Sequence, residues 1–283
     1  MEEQNLSAEQ KDLTPEQKNL KALQDNLYYA GFGSLLNKAL EERFNEQLPE
    51  FKLSHQAKIG EKEMDYELNF KKGDKLYFFK GFEATLKKPG ENEDGLRQYF
   101  YANQNITANE AYNLLDGRAV NKTYHIYEKV DEDGKEKYQR TDQTYNTWLQ
   151  LDFIKQKDDK NNFQIQKYGE KYGFDLEAKM KKLAIAEMND PEKASRLISL
   201  LKKGNLQDAT LEKDGTQQKV YLAANPINRN IIGYDANGSR MEDKELQVSK
   251  KSKEHVTENA QKKSERQAET LEAGPKQGRG HKI

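Results

Sequence analysis

The chain has 283 residues, 47 basic and 48 acidic side chains, a net charge of −1 at pH 7 and no cysteine. The missing thiols exclude a disulfide framework, a thiolate nucleophile and every cysteine-held zinc or iron–sulfur site; the balanced charge nominates no polyelectrolyte partner, so any charge argument must be local. Apolar residues reach only 34 %, below the usual share of a globular domain, which predicts a modest core with disordered ends.

No apolar run in the first 30 residues is long enough for a signal peptide, and none anywhere is long enough for a membrane helix. The expectation is a cytoplasmic protein without membrane contact.

Residues 1–13 are polar and acidic and read as disordered. Thr14-Pro15-Glu16 opens a helix, with proline at the first helical position, where its missing donor costs nothing. Leu20, Leu23, Leu27 and Tyr28 form its apolar stripe, and Gly31-Phe32-Gly33 breaks it. A second helix is predicted from Ser34 to Gln47, with Leu35, Leu36, Ala39, Leu40 and Phe44 on one side and Pro49 preventing continuation.

Period-two patterns follow at 51–59 and 64–70, around a turn at Gly60. The densest aromatic cluster comes next: LYFFKGFEATLKK at 76–88 and RQYFYA at 97–102, a hairpin. Its even positions, Leu76, Phe78, Phe82, Ala84 and Leu86, read as the core face. Lys80 spoils that alternation unless Gly81 marks a bulge, which an isolated glycine inside a strand often does. Thr107 three residues ahead of Glu110 makes a capping box, and Ala108, Ala111, Tyr112 and Leu115 share a helical stripe that stops at Gly117.

Further strands are expected at 123–130 and 145–154, with a turn at Asp133-Gly134 and a polar segment up to Thr144. The second of these carries Tyr145, Leu149, Leu151 and Phe153 on one side and Trp148 and Ile154 on the other. A charged turn, KQKDDKNN, leads to the last strand at 162–168. From Gly173 helices return, capped by Asp175 and by Asp190-Pro191. A compact β unit at 209–238 then carries hairpin signals at Asp214-Gly215 and Asn237-Gly238. Short strands on tight turns argue for antiparallel meanders. The fold class is therefore α+β: mostly antiparallel sheet with N-terminal helices at 14–50, a sheet-rich module at 51–172, a smaller helix and β-hairpin module at 173–243, and a disordered basic tail at 247–283. That tail holds nine Lys or Arg against five Asp or Glu.

ITANEAYNLLDGRAVNK at 106–122, WLQLDF at 148–153, YGFDLE at 172–177, MNDPE at 188–192, LLKKGNLQDATLEKDG at 200–215 and AANP at 223–226 together resemble a Bacteroidota domain-of-unknown-function family carried on conjugative or mobilizable elements. The resemblance spans roughly 28–243, and the segment 124–144 is longer than the family's pattern. It implies a genomic setting and a compartment. It carries no catalytic or binding residue over to this chain.

Chemistry is sparse. His55, His125, His255 and His281 lie outside metal-ligand spacing of one another, so no metal site and no cofactor are expected. GFG at 31–33 and KKGD at 71–74 fit neither phosphate-loop fingerprint. One constellation stands above this level. Between Asn69 and Lys88 six lysines face Asp74 and Glu83, and a regular hairpin would set Tyr77, Phe79, Tyr99 and Tyr101 on one side, rimmed by Lys75, Lys87 and Arg97. Rings on a sheet with a cationic rim can stack bases while holding phosphates. The alternative is that helices cover that side and its rings are core. The expectation is a non-enzymatic accessory protein that binds nucleic acid or a DNA-processing protein, the rival being a protein–protein interaction module without nucleic-acid contact.

Overall fold

A computed structural model describes residues 13–90, 94–132 and 135–248. The start read as disordered, the Asp133-Gly134 turn and nearly all of the expected tail lie outside the described residues. Three antiparallel meanders make the framework of this α+β fold. The first sheet runs β1 (Glu50–Ile59), β2 (Lys62–Lys72), β3 (Tyr77–Lys87) and β4 (Leu96–Tyr101) in chain order. The second is β5 (Val120–Glu132), β6 (Lys135–Asp152) and β7 (Gln164–Gly169), and the third pairs β8 (Gln207–Lys213) with β9 (Thr216–Asn225) and β9 with β10 (Asn230–Tyr234).

Helix α1 (Pro15–Leu27) starts at Thr14, whose side chain and that of Gln17 exchange bonds with each other's backbone N–H. It buries Leu23 and Leu27, and α2 (Asn37–Asn45) buries Leu40 and Phe44 against the same sheet face. The second helix begins later than its pattern suggests: Ser34–Leu36 form turns, leaving Leu35 74 % exposed.

Helix α3 (Ala108–Leu115) carries the expected capping box. Thr107 Oγ1 accepts the Glu110 N–H at 3.3 Å, and Glu110 Oε2 accepts the Thr107 N–H at 2.9 Å. Lys122 of β5 adds its ammonium at 2.9 Å from the same carboxylate, so one buried glutamate closes the helix start and ties it to the second sheet. Thr107→Ala is expected to lower stability by about 1 kcal/mol, read as a urea midpoint that Thr107→Ser restores; an unchanged midpoint would mean the cap contributes nothing.

Within the first sheet the pairing shifts between Asn69 and Phe70: Asn69 faces Gly81 and Phe70 faces Phe79, so Lys80 is the extra residue of a bulge. The bulge swaps which parity points inward. Before it Tyr77 faces the core; after it Phe82, Ala84 and Leu86 do, lining up with Leu53, Leu68 and Phe100. Gly81 has φ +128, a region for glycine alone.

Two cores result. The first gathers α1, α2, the first sheet, α3 and the near end of the second sheet. The second gathers α4 (Leu176–Met180), α5 (Pro191–Lys202), the third sheet and Leu246 of α6 (Asp243–Leu246), and takes Trp148 from the second sheet and Ala119 from just before it. The chain stays attached beyond Leu246, since Gln247 bridges to Leu183. Asn113 donates to the Lys203 carbonyl at 2.7 Å, and Arg118 Nε to the Gly204 carbonyl at 2.8 Å, joining α3 to the end of α5.

Two expectations about the second sheet need correction. The polar segment before Thr144 is strand throughout, so β6 is 18 residues long. Of the apolar residues at 145–154, Leu149, Leu151 and Trp148 are buried, but Tyr145, Phe153 and Ile154 are exposed, because β6 enters the core only where β7 pairs with it at Thr147–Asp152.

Candidate nucleic-acid interface

The helices cover only one face of the first sheet. The other face carries Lys52, Glu67, Glu83 and Tyr99, then Asp65, Thr85 and Arg97, with Gly81 opposite Tyr101. It is the solvated face expected of a one-sided antiparallel sheet, and its central charges are matched across strands. Lys52 lies 2.6 Å from Glu67, Lys87 2.7 Å from Asp65, and Arg97 3.1 Å from Glu83. The Lys87 ammonium, with Gln56, holds the Asp65 carboxyl below the usual carboxylate range despite its partial burial.

The seven residues picked from the sequence do not share one surface. The bulge at Lys80 turns Tyr77 inward, where it is 2 % exposed and its hydroxyl donates to the Leu48 carbonyl at 2.5 Å. Phe79 packs beside it against Phe70. Tyr77 belongs to the core and half-buried Phe79 packs against it, the outcome a regular alternation hides. Phe78 takes their place outside, 54 % exposed, with its ring over Gly73. Tyr99 and Tyr101 do lie on the open face, their rings 4.8 Å apart edge to face. Lys87 and Arg97 are there too, in the ion pairs just described. Lys75 is exposed in the β2–β3 turn, next to the core ring of Tyr77 in sequence but away from the tyrosine pair.

One neighbour of that pair was hidden in a stretch readable only as a charged turn. Asp158 accepts backbone N–H bonds from Lys160 and Asn162 at 3.0 and 2.8 Å, and these donors hold its carboxyl below the ordinary value. The loop so formed caps the free edge of β4: the Tyr99 N–H donates to Asn162 Oδ1 at 2.8 Å, and the Phe163 N–H to Gln98 Oε1 at 2.8 Å. It thereby brings the Lys160 ammonium 2.9 Å from the Tyr101 hydroxyl and 5.6 Å from the centre of its ring. Burial, with Tyr101 and Glu83 nearby, pushes the Tyr99 hydroxyl up. The D-x-x-x-N spacing at 158–162 was the available signal, since aspartate folds such turns onto its own backbone.

Beyond the bulge, Lys71 sits opposite Phe78, and Lys75 and Lys80 are exposed. None of these three has an ion-pair partner within 4 Å among the described residues. The open face thus has a charge-matched middle, a tyrosine pair with a lysine at one corner, and a lysine-rich end with one exposed phenylalanine.

A cleft of about 570 Å³ lies between the modules, floored by Tyr221, Ala223, Ile232 and Tyr234 and walled by Asp116, Gly117, Arg118 and Gln150. Its charges are already committed. Asp116 is held by Lys62 at 2.6 Å, by Lys88 at 3.7 Å and by Arg118, whose other nitrogens bind Asn113 and the Gly204 carbonyl. Burial pushes the Asp116 carboxyl up, but Lys62 and Arg118 outweigh it and hold the group below the ordinary range. That is the signature of a structural anchor, not of a proton-transfer group near neutral pH.

His55 packs between Phe32 and Tyr66, and His125 sits in an irregularity of β5. No group of three His, Asp or Glu residues among the described residues could hold a metal ion. No helix among them is long and apolar enough to cross a membrane. No family model, no curated protein and no solved structure matches this chain.

Proposed function

We propose that this chain is a non-enzymatic binding module that holds single-stranded nucleic acid on the open face of its first sheet. The observation that carries the reading is the pair of half-buried Tyr99 and exposed Tyr101 with Lys160 fixed against Tyr101, on a sheet that also presents exposed Lys71, Lys75 and Lys80. Bases stack on the rings and phosphates meet the lysines, a division of labour that needs no base-specific contact. The resemblance noted in the sequence supports a cytoplasmic accessory role on a mobile genetic element, and the target is then a strand exposed during element transfer or a protein that processes it.

The charge-matched middle of the face favours a second reading, a polypeptide partner without nucleic-acid contact, because paired charges build little positive potential. A filter-binding titration with oligothymidylate and oligouridylate separates the two. For three or four phosphate contacts the logarithm of affinity is expected to fall with the logarithm of salt at a slope of roughly −2 to −3. Tyr99→Ala with Tyr101→Ala is expected to weaken binding by at least about 30-fold, from about 1 kcal/mol or more per lost stacking ring. A chain ending at Val248 binds equally well if the sheet is responsible. Absence of binding at about 50 mM salt would leave only the polypeptide reading.

A further inference from the structure

The most conspicuous feature without a role is the outer part of the β5–β6 ribbon. β7 pairs with β6 only over Thr147–Asp152, so from Lys135 to Asn146 β6 has β5 on one side and no strand on the other among the described residues. This stretch leaves the body: residues 136–140 are exposed, Tyr127 is 58 % and Tyr138 72 % exposed. An isolated two-stranded ribbon is marginal in water, and a long unpaired edge is a standing template for another strand. Here no proline or glycine interrupts it from Lys135 to Asp152.

The ribbon is nevertheless built, not merely extended. Where its register moves by two residues, Ile126 faces Thr141, Asp142 and Gln143. Thr141 Oγ1 donates to the Ile126 carbonyl at 2.8 Å, and Arg140 lies 2.6 Å from His125 Nε2. Those bonds fix the edge from Glu136 to Arg140 as a regular strand beyond the irregularity.

We infer that this edge pairs with the same edge of a second copy, antiparallel about a two-fold axis through Tyr138, so that two ribbons form one four-stranded sheet. A strand meeting its own copy antiparallel gives a closed, self-complementary contact, and side-chain charge selects the register. An axis at Glu136, Lys137 or Arg140 sets each of those charges against itself, and an axis at Gln139 sets Glu136 against Asp142. The axis at Tyr138 places Glu136 opposite Arg140 of the second copy twice over, Tyr138 opposite Tyr138, and Lys137 opposite Gln139. An axis at Thr141 falls inside the irregular stretch. Because β5 is already in register, the rows extend through both copies. Tyr127 and Arg140 continue into Glu136 and Asp131 of the second copy on one face, and Val130 and Lys137 into Gln139 and Glu128 on the other. Opposite charges therefore adjoin on the first face, and on the second a neutral glutamine separates Lys137 from Glu128 of the second copy, with no like charges opposed across the new pairing. This pairing is independent of what the first sheet binds.

The absence of native cysteine makes the test direct. Opposed residues of an antiparallel pair lie about 4.5 to 5.5 Å apart at Cα, within disulfide reach. The Tyr138→Cys chain is expected to cross-link to itself under mild oxidation, while Val130→Cys, one strand further in, does not. Light scattering of the full chain at high micromolar concentration is expected to give twice the monomer mass. Glu136→Arg should return it to monomer by setting like charges opposite each other, and adding Arg140→Glu should restore the dimer. A monomer at the highest attainable concentration would overturn the inference. So would a dimer that Glu136→Arg leaves intact, or one that Val130→Cys cross-links and Tyr138→Cys does not.

Discussion

Gly81→Ala is expected to cost about 3 kcal/mol or more, the largest loss for a methyl group added at any of the described glycines. Two effects combine. The φ of +128 lies where an L side chain is strained, by about 1 to 3 kcal/mol, and the added Cβ would stand 2.1 Å from the Phe100 carbonyl oxygen and 2.9 Å from Tyr101 Cα. Both obstacles are backbone of the paired strand, so no side chain can turn away to make room. Relief requires β3 and β4 to part, or the bulge to move. Without the bulge a strand of unbroken alternation cannot bury Tyr77 together with Phe82, Ala84 and Leu86, since they are of opposite parity. A urea midpoint reports the loss; a stability within about 1 kcal/mol of the parent, the typical effect of an ordinary substitution, would show that the bulge does not hold the register.

The second large effect is expected at Asp116, where the corner after α3 meets the rest of the fold. Its side chain is 8 % exposed and its one negative charge lies against Lys62, Lys88 and Arg118 together. Asp116→Asn leaves three cations around a neutral amide and is expected to cost about 2 to 3 kcal/mol near neutral pH. That is less than for a fully enclosed pair because Lys62 and Lys88 turn partly to water. The pH dependence has a definite sign. The folded protein holds this carboxyl below its unfolded value, so its stabilisation is complete above about pH 4, the ordinary aspartate value, and is lost as pH falls through the lower folded value. Parent and Asp116→Asn should therefore differ most at neutral pH and converge in acid, measured as unfolding midpoints across pH. A constant difference down to strong acid would mean that the charge contributes nothing.

The parts of the fold that could be read from sequence are those set by neighbours in the chain. Thr107 with Glu110, Thr14 with Pro15, and Asp214 with Gly215 satisfy backbone groups within a few residues, and their patterns survive any tertiary context. The bulge at Gly81 was legible too, because a lysine in the middle of an apolar alternation, followed by glycine, would otherwise bury an unpaired charge. Its consequence was not. Tyr77 and Phe79 match Tyr99 and Tyr101 in residue type, and only the inserted Lys80 decides that the first two face the helices while the second two face water. The length of β6 was obscured for a related reason: a ribbon exposed on both faces has no apolar period to betray it. Lys160 reaches Tyr101 from 59 residues away in sequence, and Asp116 gathers Lys62 from β2 and Lys88 from just after β3. No spacing rule connects such positions before the chain has folded.

If the open sheet face is the binding surface, its residues must be the ones a ligand disturbs. Amide chemical-shift mapping of the full chain during titration with an oligothymidylate of about eight nucleotides, within the usual span of single-strand sites, reads this residue by residue. The largest shifts are expected at Tyr99, Tyr101 and Lys160 and across Lys71 to Lys80, with Leu23, Leu27 and the α3 core unmoved. Shifts confined to residues after Val248, or to the β5–β6 ribbon, would contradict that placement and remove the tyrosine pair from any role in binding.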